Sequence, residues 1–147
     1  MATPRLQQFQ QFKRALAHAS PVELRFAARA AALAPWVEAS LAIFGLAPTL
    51  DALERMTPLG SNSHPIEAGL AERGVARAFR VQPWLPGRCL VRALVQVALH
   101  RRDGAQATLV VGVRHSERRR VEAHAWVEPP IPGEHQGYEA IFRRMTG

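Results

Sequence analysis

A single cysteine, Cys89, stands in the whole chain. That scarcity excludes an intrachain disulfide framework, and no Cys-x-x-Cys pair exists for a structural zinc site, so a reducing cytoplasm is the simplest compartment. No hydrophobic stretch of signal-peptide type follows Met1. Arg25, Arg29, Pro35 and Glu38 are expected to break the apolar stretches of the first half before they reach spanning length, so no membrane insertion is expected. No internal repeat or low-complexity tract is evident. Acidic residues are the minority, 12 Asp+Glu against 19 Lys+Arg, and the formal net charge of +7 comes almost wholly from arginine. Arg118-Arg119-Arg120 and Arg143-Arg144 cluster without the interleaved aromatics of a single-strand platform, so nucleic acid is not an expected partner. The two clusters read as a solvated hairpin tip and tail. The excess charge biases the chain toward acidic peptides at long range without giving specificity.

What is present suits one domain spanning 1–147. At 147 residues, 48% hydrophobic and 21% charged, the chain can bury a moderate core but not two. Residues 1–80 read as a helical subregion. Ser20-Pro21-Val22-Glu23 has the form of a capping box with proline at the first helical position, and Leu24, Ala27, Ala28 and Ala31 follow at helical spacing. Pro35 is expected to kink or restart that helix, Trp36 to Phe44 to continue it, and Gly45 to stop it. Leu6, Phe9, Phe12, Lys13 and Leu16 suggest an earlier amphipathic helix, and Leu50, Leu53, Glu54 and Met56 a short later one. The turn formers from Thr57 to Pro65 make a loop, and a helix from Pro65 to about Phe79, weakened by Gly69 and Gly74, follows it.

Residues 81–147 carry the chemistry. Cys89 follows Pro83-Trp84-Leu85-Pro86-Gly87 and precedes an apolar run, which places its sulfur at or near the first turn of a helix. There, unpaired N–H groups and the macrodipole favour a thiolate. Leu90, Ala93, Leu94, Val97 and Ala98 share one helical face and Val91 and Val95 widen it, so the helix is expected to be largely buried. His100-Arg101-Arg102 and Asp103-Gly104 end it. Ala107 to Val113 and Val121 to Glu128 then read as an antiparallel pair of strands.

The period of two decides what the second strand presents. Glu122, His124, Trp126 and Glu128 share one side, and Val121, Ala123, Ala125 and Val127 share the other, which is the core side. His124 therefore lies on a polar and aromatic face and is expected to meet the N-terminus of the Cys89 helix if that helix packs across the sheet, giving the thiolate–imidazolium pair that a cysteine nucleophile and its general acid–base partner need. A third group should orient the imidazole. Glu122 and Glu128 lie roughly 7 and 13 Å along the strand from His124, too far for that role. If Pro129 to Pro132 turn the chain into a neighbouring strand, the residues opposite His124 fall around Gln136 to Tyr138. Glu134 comes within reach in a shorter or bulged register.

The run Cys89-Leu90-Val91-Arg92-Ala93-Leu94, then Gly112-Val113, then Ala123-His124-Ala125-Trp126-Val127-Glu128, resembles the transglutaminase-like cysteine peptidases that remove leaders in lasso-peptide biosynthesis. The match is specific over residues 84 to 128 and looser over the helical half. It implies an α+β fold: a helical N-terminal half, then a papain/transglutaminase-like core in which the nucleophile helix packs on a small antiparallel sheet. It also implies Cys89 as nucleophile and His124 as base in a cytoplasmic leader peptidase, with no cofactor and no metal. The family completes its triad with an aspartate on the following strand, and this chain has none after Asp103; the role falls on Gln136 without gaps, or on Glu134 with a shortened hairpin. The chain resembles the stand-alone form of the family. The partners so implied are the precursor's leader peptide, a separate leader-recognition protein and an ATP-dependent lasso cyclase.

Plainer readings stand beside this one. A lone cysteine at a helix start is by itself more often a small buried hydrophobe, and Trp84 and Trp126 are more often packing than peptide-groove walls. The His-Ala-Trp strand behind Cys89 reverses the first of these. A zinc site from Cys89, His124 and another histidine lacks ligand spacing. Two further functions compete: a non-catalytic peptide-binding protein of the same fold, favoured by the missing aspartate, and a transglutaminase-like acyltransferase that passes the acyl group to an amine.

Overall fold

Helix α1 (Pro21–Phe44) begins where the capping box was expected. In the computed structural model, which describes residues 20–56, 69–81, 88–115, 120–128 and 137–146, the Glu23 N–H donates to Ser20 Oγ at 3.1 Å and the Ser20 N–H donates to Glu23 Oε2 at 3.3 Å. The earlier helix expected from Leu6 to Leu16, the Thr57–Pro65 loop and Arg118-Arg119 lie outside the described residues. Pro35 does not restart α1. All 24 residues form one helix with the proline inside it, because Phe26, Ala30, Ala34 and Val37 anchor it on both sides of Pro35, whose own ring is exposed. The sequence-based break into short apolar stretches is corrected accordingly: α1 is long and apolar enough, by length and composition, to cross a membrane. Its buried face is built into the core of this fold.

Gly45, at φ 80°, turns α1 into α2 (Leu46–Met56). Ser40 and Thr49 join the two helices through a buried hydroxyl pair at 2.9 Å, and Thr49 also donates to the Gly45 carbonyl at 2.7 Å. Helix α3 (Leu70–Val81) starts after Gly69, later than the expected Pro65. The glycine's φ of 93° is a left-handed conformation outside the helical range, and Pro65 to Ala68 lie outside the described residues. Glycine at 74 serves a different end, since a Cβ there would lie 2.5 Å from Phe26 Cβ and 3.0 Å from the Glu23 carbonyl. It lets α1 and α3 touch backbone to backbone. Beside this contact Arg73 Nε donates to the buried Glu23 carboxylate at 2.6 Å, with an Arg77 nitrogen at 3.4 Å.

Helix α4 (Arg88–Arg102) is the centre of the molecule. Val91, Ala93, Leu94, Val95, Val97, Ala98 and Leu99 are all buried, as an apolar face widened nearly all round requires. It packs on α1 and α3 on one side and on the sheet on the other. His100 Nε2 meets Glu72 of α3 at 3.1 Å. The Asp103-Gly104 turn then reverses the chain, with Gly104 at φ 79°.

The sheet contains β1 (Ala107–His115), β2 (Val121–Glu128) and β3 (Glu139–Thr146), antiparallel, in the order β2-β1-β3. Ala107, Leu109 and Ala125 join the helical core, with Val111, Val127 and Phe142 packed against it, whereas Val110 and Trp126 are buried on the other face. Four helices and this sheet, among the described residues, make the α+β fold that the sequence implied. Arg143 and Arg144 are not a solvated tail. Both lie in β3, where Arg144 reaches Asp51 at 2.6 Å and Glu54 at 3.1 Å on α2, and Arg143 pairs with Glu128.

Candidate active site

Cys89 is the second residue of α4 and a free, half-buried thiol. No acidic residue shares the first turn, so nothing there opposes negative charge beside the helix's unpaired N–H groups. The core fixes this position. With the rest of α4 buried on the sheet and on α1 and α3, its N-terminus cannot shift without disturbing packed side chains.

His124 lies near the middle of β2, half-buried, on the same side as Trp126. The alternation is the one the sequence predicts: Ala125 and Val127 go to the helical core, and His124 and Trp126 to the opposite face. Helix α4 therefore covers the Ala125 side. The helix that carries Cys89 thus packs on the face of β2 opposite the one that presents His124, which corrects the expectation that this helix packs across the His124 face.

Gly112 shapes the ground under the imidazole. It is the β1 partner of His124, and on its other side it pairs with Ala140 of β3. A Cβ at Gly112 would lie 2.8 Å from Trp126 Cη2 and 3.0 Å from the Glu139 carbonyl. The missing side chain is the room into which the indole leans. Tyr138, just before β3, comes over the same spot, with its ring centroid 5.2 Å from that of His124 and 6.5 Å from that of Trp126. The His124 and Trp126 rings are stacked at 6.0 Å. Arg114 sits 4.6 Å from the centre of the Tyr138 ring and is itself held by Glu122 at 2.7 Å. That ion pair raises the Arg114 pKa, chiefly through the hydrogen bond to Glu122.

The expectation that the strand after the hairpin pairs with β2 is corrected, since β3 pairs with β1. Tyr138 nevertheless reaches His124 from the start of β3. Gln136 and Glu134 lie outside the described residues, as does Trp84. Glu122 and Glu128 are engaged with Arg114 and Arg143 respectively. Sequence reasoning put Tyr138 at the end of the stretch opposite His124 but gave it no role, and it missed Arg114. The available signal was Gly112, a glycine inside a valine-rich strand, which marks a close approach. Among the described residues no three His, Cys, Asp or Glu side chains group to hold a metal ion.

A thiol at a helix N-terminus and a histidine on a neighbouring strand are the residue types of a cysteine acyl-transfer site, here carried on opposite faces of β2. No curated protein and no solved structure matches the chain. Residues 24–145, which include Cys89, His124 and nearly all of the described fold, match the transglutaminase-like superfamily, and the chain belongs to that superfamily.

Proposed function

We propose that this protein is a cysteine peptidase that removes the leader from a ribosomally made lasso-peptide precursor, with Cys89 as nucleophile and His124 as general acid–base. The position of Cys89 in the first turn of α4 carries the reading. Helix length supports it. From Arg102 back to Cys89, α4 spans ~20 Å, about six positions of a strand, and the Asp103-Gly104 turn leads straight into β1. Counted from Ala107, six positions bring the first turn of α4 level with Gly112 and Val113, the partners of His124 and Ala123. Ala123, on the helix side at that level, is exposed.

In the reaction the Cys89 thiolate attacks the scissile carbonyl, and N–H groups beside Cys89 stabilise the oxyanion. The C–N bond breaks as His124 gives its proton to the leaving amine, and a thioester remains. Water then adds, His124 takes its proton, and the thiolate leaves, freeing the leader's carboxylate. Gln136 or Glu134, just ahead of Tyr138 in the chain, supplies the hydrogen bond that fixes the imidazole tautomer. The proposed partners are the precursor's leader, a separate leader-recognition protein and an ATP-dependent cyclase that consumes the freed core peptide, all in the cytoplasm.

The test is mass spectrometry of the precursor incubated with this protein and the recognition protein, comparing wild type with Cys89→Ala. Cleavage at the leader–core junction that vanishes in the variant is the expected result. Leader binding without cleavage by either protein would leave a peptide-binding protein instead. Membership of the transglutaminase-like superfamily favours one second reading, acyl transfer to an amine, which a product that forms only with added primary amine would reveal. Treatment with a 1,3-dihaloacetone, which bridges a thiol and an imidazole only when they are adjacent, should link Cys89 to His124.

A further inference from the structure

Three local irregularities converge on one side chain outside the helical core. Gly137, at φ 82°, turns the chain immediately before Tyr138, a conformation that other residues adopt only with strain. A register shift follows: Val111 pairs with Phe142 and Gly112 with Ala140, so Ile141 is extra and the start of β3 is re-aimed. Gly112, between His124 and Ala140, leaves the room that the indole of Trp126, the other ring beside His124, occupies. Each feature alone is a turn, a bulge or a small residue. Together they bring two aromatic rings to one imidazole.

The rings form a triangle with sides of 5.2, 6.0 and 6.5 Å. With sides so nearly equal the imidazole is not sandwiched. Trp126 and Tyr138 touch one another and make a two-walled corner for it. Trp126 has a packing role of its own, being buried over Gly112, but Tyr138 is half-buried and belongs to no part of the helical core. Its outer contact is Arg114, an exposed guanidinium fixed by Glu122. A ring held in this way at the rim does little for the core and much for the orientation of what it touches.

We propose that Tyr138 is a positioning residue for His124: its ring, with Trp126, sets the plane of the imidazole, and the Arg114–Glu122 pair holds the Tyr138 ring in place. The proposal rests on the peptidase reading, in which His124 moves the proton. Two walls fix the tilt of the ring, and a hydrogen-bonding partner need then fix only its tautomer. A glutamine can do that without a charge.

The test uses the full chain with Tyr138→Phe and Tyr138→Leu and two readouts. One, the chemical shifts and line widths of the His124 ring protons followed by NMR, needs no substrate. In Tyr138→Leu the His124 signals should move and broaden as the ring loses its fixed plane, and Tyr138→Phe should restore them. The other is cleavage of the precursor: kcat in Tyr138→Leu should fall by about tenfold with KM within about twofold, since misorientation costs the chemical step rather than binding. Phenylalanine should rescue it. A His124 signal unmoved by the leucine variant overturns the proposal, and so does a moved signal with unchanged kcat. If Tyr138→Leu does not fold, Tyr138→Met, with more adaptable bulk, takes its place. Failure of the peptidase reading is separate: wild type would then leave the precursor uncut, or Cys89→Ala would cut it equally well, whatever the His124 spectrum shows.

Discussion

Gly112 shows how much one missing side chain can decide. Between His124 on one side and Ala140 on the other, it lets the indole of Trp126 lean inward, and an added Cβ would come within 2.8 Å of that ring and 3.0 Å of a backbone carbonyl. The carbonyl cannot rotate away, so Gly112→Ala should destabilise the fold by about 1–3 kcal/mol, the usual cost of overpacking. Urea unfolding gives the loss, and a shift of tryptophan emission should accompany it in the folded state. Glu23 supplies a second test at this scale. Arg73, hydrogen-bonded to it, holds its carboxyl below the ordinary value of 4.5, with Ser20 N–H and Arg77 adding to the effect and burial opposing it. A lowered folded-state pKa means stability that is complete above the unfolded value and is lost as pH falls through the folded one. Between about pH 5 and about pH 3, wild type should therefore lose more stability than Glu23→Gln in parallel denaturations.

At the level of whole elements, the contact between α1 and α3 sets helix propensity against packing. Gly74→Ala would gain about 1 kcal/mol of propensity. The new methyl would, however, stand 2.5 Å from Phe26 Cβ and 3.0 Å from the Glu23 carbonyl, atoms of a packed helix with nowhere to go. The clash should win, lowering the melting temperature although the change improves the helix in isolation. Continuity of α1 through Pro35 follows the same logic, because buried side chains before and after the proline secure both segments to one core. Local propensity proposes a break there, and tertiary packing overrides it.

In the whole molecule, Arg144 ties the last strand to the helical half through Asp51 and Glu54. These side chains are a quarter to a half exposed, so water screens the pairing, and Arg144→Met should cost about 1 kcal/mol, shrinking in molar salt. Denaturation midpoints at low and high salt check it. Much of the fold and half of the candidate site were legible in the residues alone. The capping box at Ser20, the helix that starts beside Cys89, the turn at Asp103-Gly104 and the two faces of β2 were all readable, because capping, helical period and strand alternation are properties of neighbouring residues. Only the tertiary structure decided that β1 lies between β2 and β3, that Tyr138 meets His124, and that Arg144 pairs with α2. Strand order and ion-pair partners depend on which distant segments bury each other best, and no local period in the sequence encodes that choice.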